Sequence, residues 1–186
     1  MHEAASNYFD CRTDLMGLPA CSLNSYYGDS HILFDVSVRV ERDEVVALLG
    51  RYGAGKSTTL KSLTGVVTPR TGSVLLDGIE IAGKKSHAIA QAGMQVVHED
   101  RRIFGSLDVE ENLILAALTA PTKWPLDRIY AMFPRLKQRR GSRGPDLSGG
   151  EQQTLAIARA LVRDLSIGVL ACGSTCRLQR AQVVIG

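Results

Sequence analysis

Residues Gly50 to Thr58 read Gly-Arg-Tyr-Gly-Ala-Gly-Lys-Ser-Thr, and their types and spacing suit one kind of chemistry. Glycines at Gly50, Gly53 and Gly55 let a backbone curl until successive N–H groups point at phosphate oxygens, and a helix that begins directly afterwards adds the positive end of its dipole. In the G-x-x-x-x-G-K-S pattern, Lys56 reaches the β- and γ-phosphates and the Ser57 hydroxyl ligates magnesium. Arg51, Tyr52, Ala54 and Thr58 complete the loop. The bland alternative is a glycine-rich turn that holds nothing. The pattern by itself means only a nucleoside triphosphate, since kinases, GTPases, motors and transporters share it.

A phosphate loop works only between a buried strand and a helix, and the flanking residues supply both. "ILFDVSVRVERDEVVALLG" alternates through Val36, Val38 and Val40 and is then continuously apolar from Val45 to Leu49, which predicts a half-exposed strand followed by a buried one. "KSTTLKSLTG" predicts a helix closed by Gly65. "TPRTGSVLLDGIEIAG" predicts two short strands about an Asp77-Gly78 turn, "SHAIAQAG" a short helix, and "GMQVVHEDRR" a strand running into a polar loop. In "SLDVEENLILAAL", Asp108 and Glu111 are placed to form a capping box. The segment from Pro121 to Arg143 reads as a helix followed by a mobile loop carrying the basic run "RLKQRRGSR". "SGGEQQTLAIARALVRD" predicts a second strong helix with Leu155, Ala158 and Leu161 on one face. Strands alternating with helices, without an internal repeat, indicate an α/β domain.

The start of that last helix carries a second anion-binding pattern. In "LSGGEQQ", Leu147 to Gln153, the Ser-Gly-Gly turn leaves free N–H groups at a positive dipole end. A chain that already has one phosphate loop uses a second such site most simply on a second nucleotide across a dimer.

Composition bounds the partners. The chain has 186 residues, 45% hydrophobic and 22% charged, with a formal net charge of +3. That length suits one domain with a sizeable core, and the charge is too small to argue for nucleic acid. The basic run from Arg135 to Arg143 lacks interleaved aromatics and reads as a solvated face, with weak attraction to anionic lipid as a further option. No run of 18 apolar residues predicts a membrane span, and Glu3, Asp10 and Asp14 stand where a signal peptide needs an apolar stretch. A cytosolic location is therefore expected. The cysteines, Cys11, Cys21, Cys172 and Cys176, fit neither a zinc nor a disulfide spacing and are expected as reduced thiols.

With the phosphate loop and "LSGGEQQ" about a hundred residues later, the sequence resembles the ATP-binding subunit of ABC transporters, over roughly Ser22 to Leu170. "VVHEDRRIFGSLDVEENLILAAL" is similar more particularly to the branched-chain amino acid, LivF-type, subfamily. The resemblance implies a P-loop NTPase, RecA-like α/β core with a helical signature subdomain at about 100–147, residues 1–21 standing as a divergent N-terminal segment and 171–186 as a divergent tail. It also implies ATP and Mg2+ as cofactors, and coupling of ATP binding and hydrolysis to import of branched-chain amino acids. The partners it implies are a second ATP-binding subunit, integral-membrane permease subunits and, indirectly, a periplasmic binding protein, with the chain peripheral on the inner face of the cell membrane and no nucleic acid bound.

The same resemblance places Tyr27, the aromatic before Gly28, on the adenine ring, and Ser148, Gly149, Gly150 and Gln152 on a partner's nucleotide. Glu99 takes the Q-loop position as a possible second contact to magnesium. Tyr27 as an ordinary strand-end tyrosine and Glu99 as a solvated carboxylate stay open beside these roles. Gln95 lies inside its strand and His98 reads as a surface histidine. Where the family has the Walker B aspartate and glutamate, this chain has Ala171 and Cys172. Neither offers a hard oxygen to magnesium, no D-loop or switch histidine follows, and no catalytic residue is assigned. Three readings result: a working transport ATPase subunit, a nucleotide-binding but hydrolysis-deficient homologue or fragment, and a fragment that does not fold independently.

Overall fold

A computed structural model describes residues 17–41, 44, 46, 48, 51, 53–118, 124–163 and 167–170. Strands β1 (Leu18–Tyr27) and β2 (Ser30–Val40) form a hairpin, and helix α1 (Lys56–Leu63) follows the phosphate loop. Next come β3 (Thr71–Leu76), β4 (Ile79–Glu80), α2 (Ser86–Gln91) and β5 (Met94–Val97). The C-terminal half supplies α3 (Val109–Ala117), α4 (Leu126–Met132), α5 (Pro134–Gln138), a 3-10 turn at Gly144–Asp146, α6 (Gly149–Val162) and β6 (Ile167–Leu170).

Four strands make an antiparallel sheet in the order β2-β1-β3-β4, while β5 and β6 pair in parallel, Val97 opposite Leu170. A parallel pair needs a long crossover, and here the whole helical segment from α3 to α6 provides it. Within β1 the inward face changes parity. Leu18 and Ala20 are buried, and after an irregularity at Ser22, whose φ is 52°, the buried residues are Leu23 and Ser25. An extra residue at a bulge does this, because side chains alternate with a period of two and one inserted position restores the face. Gly72 of β3 closes over the bulge. A Cβ there would lie 2.7 Å from the carbonyl oxygens of both Cys21 and Ser22.

The expected hairpin at Asp77-Gly78 forms with both residues at positive φ, 46° and 80°, the twist that two-residue hairpin turns require. Of the buried strand expected from Val45 to Leu49, only Val46 and Leu48 are described, and Val46 packs against the first core.

Two apolar clusters result. One joins β1, β3 and β5 to α1 and α2 through Leu23, Leu63, Val74, Ile81, Ile89 and Met94. The other is helical, built on Leu113, Ile129, Leu136, Leu155, Ala158 and Leu161. It reaches beyond the 100–147 span through α6. The start of α3 is fixed as the sequence predicts: the Asp108 carboxylate accepts from the Glu111 N–H at 2.8 Å, and Glu111 accepts from the Asp108 N–H at 2.9 Å.

Asn112 is fully buried beside this cap. Its amide oxygen accepts from the Phe104 N–H at 2.9 Å, and its amide nitrogen donates to the carbonyls of Phe104 and Asp108 at 3.0 and 2.8 Å. Removing it orphans buried backbone groups, so Asn112→Ala is expected to destabilise the chain by about 3 kcal/mol. A denaturant titration checks this.

Two expectations are corrected here. The basic run is not a mobile loop. Pro134 starts α5 and fully buried Leu136 anchors it, a proline in the first turn removing no helical bond. Arg139 then donates to the Asp146 carbonyl at 2.8 Å, and the carbonyls of Ser142 and Arg140 accept from the Val109 and Glu110 N–H groups of α3. One buried leucine among charges leaves no periodic signal. Arg135 stays solvated, its side chain 77% exposed. Cys21, expected as a free thiol, is disulfide-bonded, its partner lying outside the described residues. Pairing depends on how closely the fold brings two Cα atoms, which spacing does not reveal.

Candidate nucleotide site

The phosphate loop is set by backbone conformation. Gly53 and Gly55 both have φ of 82°, a region that costs L-residues with a Cβ and costs glycine nothing. A Cβ on Gly53 would meet no atom within 4 Å, so the loop faces open space there, whereas one on Gly55 would lie 2.8 Å from Leu33. Gly55 is the N-cap of α1, no side chain caps this helix, and its first turn holds no acid. Its leading N–H groups therefore point outward without an intrahelical acceptor. The Lys56 ammonium donates to the Arg51 carbonyl at 2.8 Å, across the loop. Ser57 is exposed and Thr58 buried. Gly50 and Tyr52 lie outside the described residues. An uncapped helix start, a cation and an exposed hydroxyl form a donor set that fits a triphosphate with its metal.

Tyr27 stands on the same side of the hairpin as this helix. Its β1 neighbour Ser25 is buried, with its hydroxyl 2.8 Å from that of Ser62 in α1. The Lys61 ammonium lies 5.8 Å from the Tyr27 ring centroid and 3.5 Å from its hydroxyl. Tyr26, on the opposite face, stacks instead on His31 with ring centroids 4.1 Å apart. The 44% exposure of Tyr27 leaves ring surface open to a planar ligand.

Ser148 caps α6 with a second capping box, accepting from the Glu151 N–H at 3.3 Å while Glu151 accepts from the Ser148 N–H at 2.9 Å. The backbone and then the side chain of Ser148 hold the Glu151 carboxyl below the usual carboxylate range. Because the folded value is depressed, the cap is in full force above the ordinary carboxylate pKa of 4.5 and is lost as pH falls through the folded one. Helical circular dichroism should therefore separate Glu151→Gln from the parent at pH 7, with the difference shrinking as pH falls below 4.5. Gly149 and Gly150 keep their N–H groups outside this box, and a Cβ on Gly150 would meet nothing. Gln152 is engaged within its own chain. Its amide nitrogen donates to the carbonyls of Gly144 and Leu147 at 2.9 and 3.2 Å, and its oxygen accepts from Arg101 at 2.6 Å.

The phosphate loop and the Ser148 turn belong to different core clusters, one capping α1 and the other α6. The link from β5 to the Ser148 turn is Arg101, a residue that motif reading does not single out. The only sequence signal for it is Asp100-Arg101-Arg102, in which both arginines adopt positive φ, 61° and 47°. Glu99 is exposed at the end of β5, and Gln95 is buried inside the strand, donating to the Ala90 carbonyl at 3.0 Å. His98, expected at the surface, is half-buried. Burial and then Arg102 push its pKa down, against Asp100. Ala171 and Cys172 lie outside the described residues, as do residues 1–16.

Comparison with known proteins places these features. Residues 33–170 match the family model described as ABC transporter. The high-affinity branched-chain amino acid transport ATP-binding protein BraG of Pseudomonas aeruginosa is 43% identical over 143 residues, covering 75% of this chain and 61% of that protein. The probable branched-chain amino acid transport ATP-binding protein LivF of Archaeoglobus fulgidus is 39% identical over 156 residues, covering 82% of this chain and 66% of that one. Among solved structures, an ATP-binding subunit of an ABC transporter superposes with a TM-score of 0.72 at 29% identity, over 83% of this chain and 65% of that chain. The chain thus spans slightly less than two thirds of the length of these relatives.

Proposed function

The chain belongs to the ABC transporter family, and from that premise we propose that it is the ATP-binding subunit of an importer for branched-chain amino acids, coupling ATP binding and hydrolysis to transport. The observation that carries the reading is the uncapped start of α1 behind two left-handed glycines, with Lys56 and Ser57 at its mouth. The substrate class comes from the printed names of BraG and LivF.

In this reading the N–H groups of 53–58 and the Lys56 ammonium bind the phosphates, Tyr27 stacks on the adenine, and Ser57 holds magnesium with Glu99 as a possible further contact. Bound ATP supplies the free energy of phosphoryl transfer to water. Among the described residues no group of three His, Cys, Asp or Glu could hold a metal without the nucleotide, and magnesium commonly sits on one or two protein oxygens plus substrate phosphates. Lys56 must leave the Arg51 carbonyl to meet a phosphate. That exchange of one hydrogen bond for a charge-assisted one favours binding. Gln152 serves as a positioning residue, tying Arg101 and the 3-10 turn to α6.

Residues 22–170 form the nucleotide-binding unit in this proposal, with the helical cluster as its signature part. Gly149 and Gly150 offer N–H groups at a helix start beside the Ser148 cap, and a second copy or a related subunit would present its nucleotide there. Permease subunits would anchor the assembly at the inner face of the membrane, with a periplasmic binding protein beyond them. Among the described residues no helix is long and apolar enough to cross a membrane. Light scattering tests the pairing. The mass should rise towards a dimer with a slowly hydrolysed ATP analogue and magnesium, and fall back in Gly150→Asp, which sets a negative charge at the shared phosphate. Equal masses with the analogue and with ADP would count against a composite site.

A further inference from the structure

The hairpin end that carries Tyr27 is irregularly paired. The β1–β2 register shifts between Leu23 and Ser25 and again between Ser25 and Tyr26, before Tyr27 pairs with Ser30 across the Gly28-Asp29 turn. Gly28 has a φ of 58°, and Tyr27, Gly28 and Asp29 are all exposed. An exposed hairpin end frays readily, so an aromatic ring kept there in one place needs side-chain supports.

Such supports stand on both faces. On the Tyr27 face, the Ser25 hydroxyl meets that of Ser62 in α1, and Lys61 lies 3.5 Å from the Tyr27 hydroxyl. On the Tyr26 face the support is Arg70, at the end of the link from α1 to β3. The link is tied down at its start, where the Val66 and Val67 N–H groups donate to the Lys61 carbonyl at 2.9 and 3.0 Å, and at its end, where the Arg70 N–H donates to the Asn24 carbonyl of β1 at 2.8 Å. From there the Arg70 Nη2 donates to the Gly28 carbonyl at 2.7 Å, and the guanidinium carbon lies 4.0 Å from the Tyr26 ring centroid. Tyr26 is itself stacked on His31, whose Nε2 is 3.1 Å from the Asn24 amide oxygen. One guanidinium therefore grips the residues on either side of Tyr27, a task for which a planar fork with several donors is suited and a single point charge is not.

The geometry points to Arg70 as a positioning residue for the nucleotide base. It fixes both chain neighbours of Tyr27, and through them the ring on which adenine stacks in the reading above, on which this role rests. Arg70 acts through Tyr26 and Gly28 rather than on the nucleotide. A ring already held in place gives up less freedom when a base stacks on it, so the brace is felt as affinity. Its two contacts are of the kinds that can do this, a charge-assisted hydrogen bond and a cation over an aromatic face. The phosphates lie at the other end of α1 and do not depend on this brace, so its effect falls on the base alone.

Isothermal titration of this chain tests the role in the presence of magnesium, with a slowly hydrolysed ATP analogue and with inorganic tripolyphosphate, which has no base. Arg70→Met keeps an apolar stem beside Tyr26 and removes both the donor and the charge. It should weaken binding of the ATP analogue about fivefold and leave tripolyphosphate affinity unchanged. Tyr27→Leu should weaken the ATP analogue about tenfold, and the double variant should bind no more weakly than Tyr27→Leu alone, because the brace then has no ring to position. Parental ATP affinity in Arg70→Met, an equal loss of tripolyphosphate affinity, or losses that multiply in the double variant would each overturn the proposal while leaving Tyr27 on the base. Parental ATP affinity in Tyr27→Leu would overturn it together with that reading of Tyr27.

Discussion

Carboxylates introduced at the two positions after β6, as Ala171→Asp with Cys172→Glu, are expected to raise phosphate release by about a hundredfold or more. The family match runs to Leu170 and stops at the residue before this pair. An aspartate there would hold magnesium through water and a glutamate would position the attacking water, and general-base assistance of that kind contributes typically ~10²–10⁴-fold. Alanine offers no ligand atom, and a thiol is a soft donor for a hard cation. ATP affinity should change far less than the rate, because the phosphate loop makes most of the phosphate contacts. Steady-state phosphate release by the two proteins, measured at saturating ATP, makes the comparison. Equal rates would mean that another carboxylate already does this chemistry and that the register placing Ala171 and Cys172 here is wrong.

The second large effect concerns Lys56. Lys56 as a residue is half-buried, and its solvent-exposed ammonium is already oriented across the loop by the Arg51 carbonyl. A cation about 4 Å from a phosphate in surroundings of intermediate dielectric contributes roughly 4 kcal/mol before screening. Discounting for partial exposure and for the lost bond to Arg51 leaves about 2–2.7 kcal/mol, so Lys56→Ala should weaken ATP binding about thirty- to a hundredfold. ADP, without the γ-phosphate, should lose less. The substitution leaves the core untouched, and an unchanged melting temperature would show that the loss is local.

Much of this arrangement is legible in the sequence because the informative residues have local causes. The capping boxes at Asp108 and Ser148 need only residues three apart, the Asp77-Gly78 turn needs only two residues that accept positive φ, and the phosphate loop needs glycines at fixed offsets. The α6 face was readable from Leu155, Ala158 and Leu161 because they recur at helical spacing and are buried. What was not legible depends on distant partners. The 135–143 segment is ordered by bonds to α3 and by one buried leucine, neither of which leaves a pattern. The β1 bulge at Ser22 needs β3 and its Gly72 beside it. Arg101 gains its place from Gln152, fifty-one residues later. The disulfide at Cys21 likewise reflects approach in space.

The central claim is that this chain binds ATP with magnesium through 50–58. Isothermal titration of this chain with a slowly hydrolysed ATP analogue measures it most directly, with and without magnesium. The account predicts saturable binding at one site per chain, tightened by magnesium and weakened about thirty- to a hundredfold by Lys56→Ala. Absence of saturable binding in a protein with cooperative unfolding, or equal affinity in the Lys56→Ala protein, would contradict it.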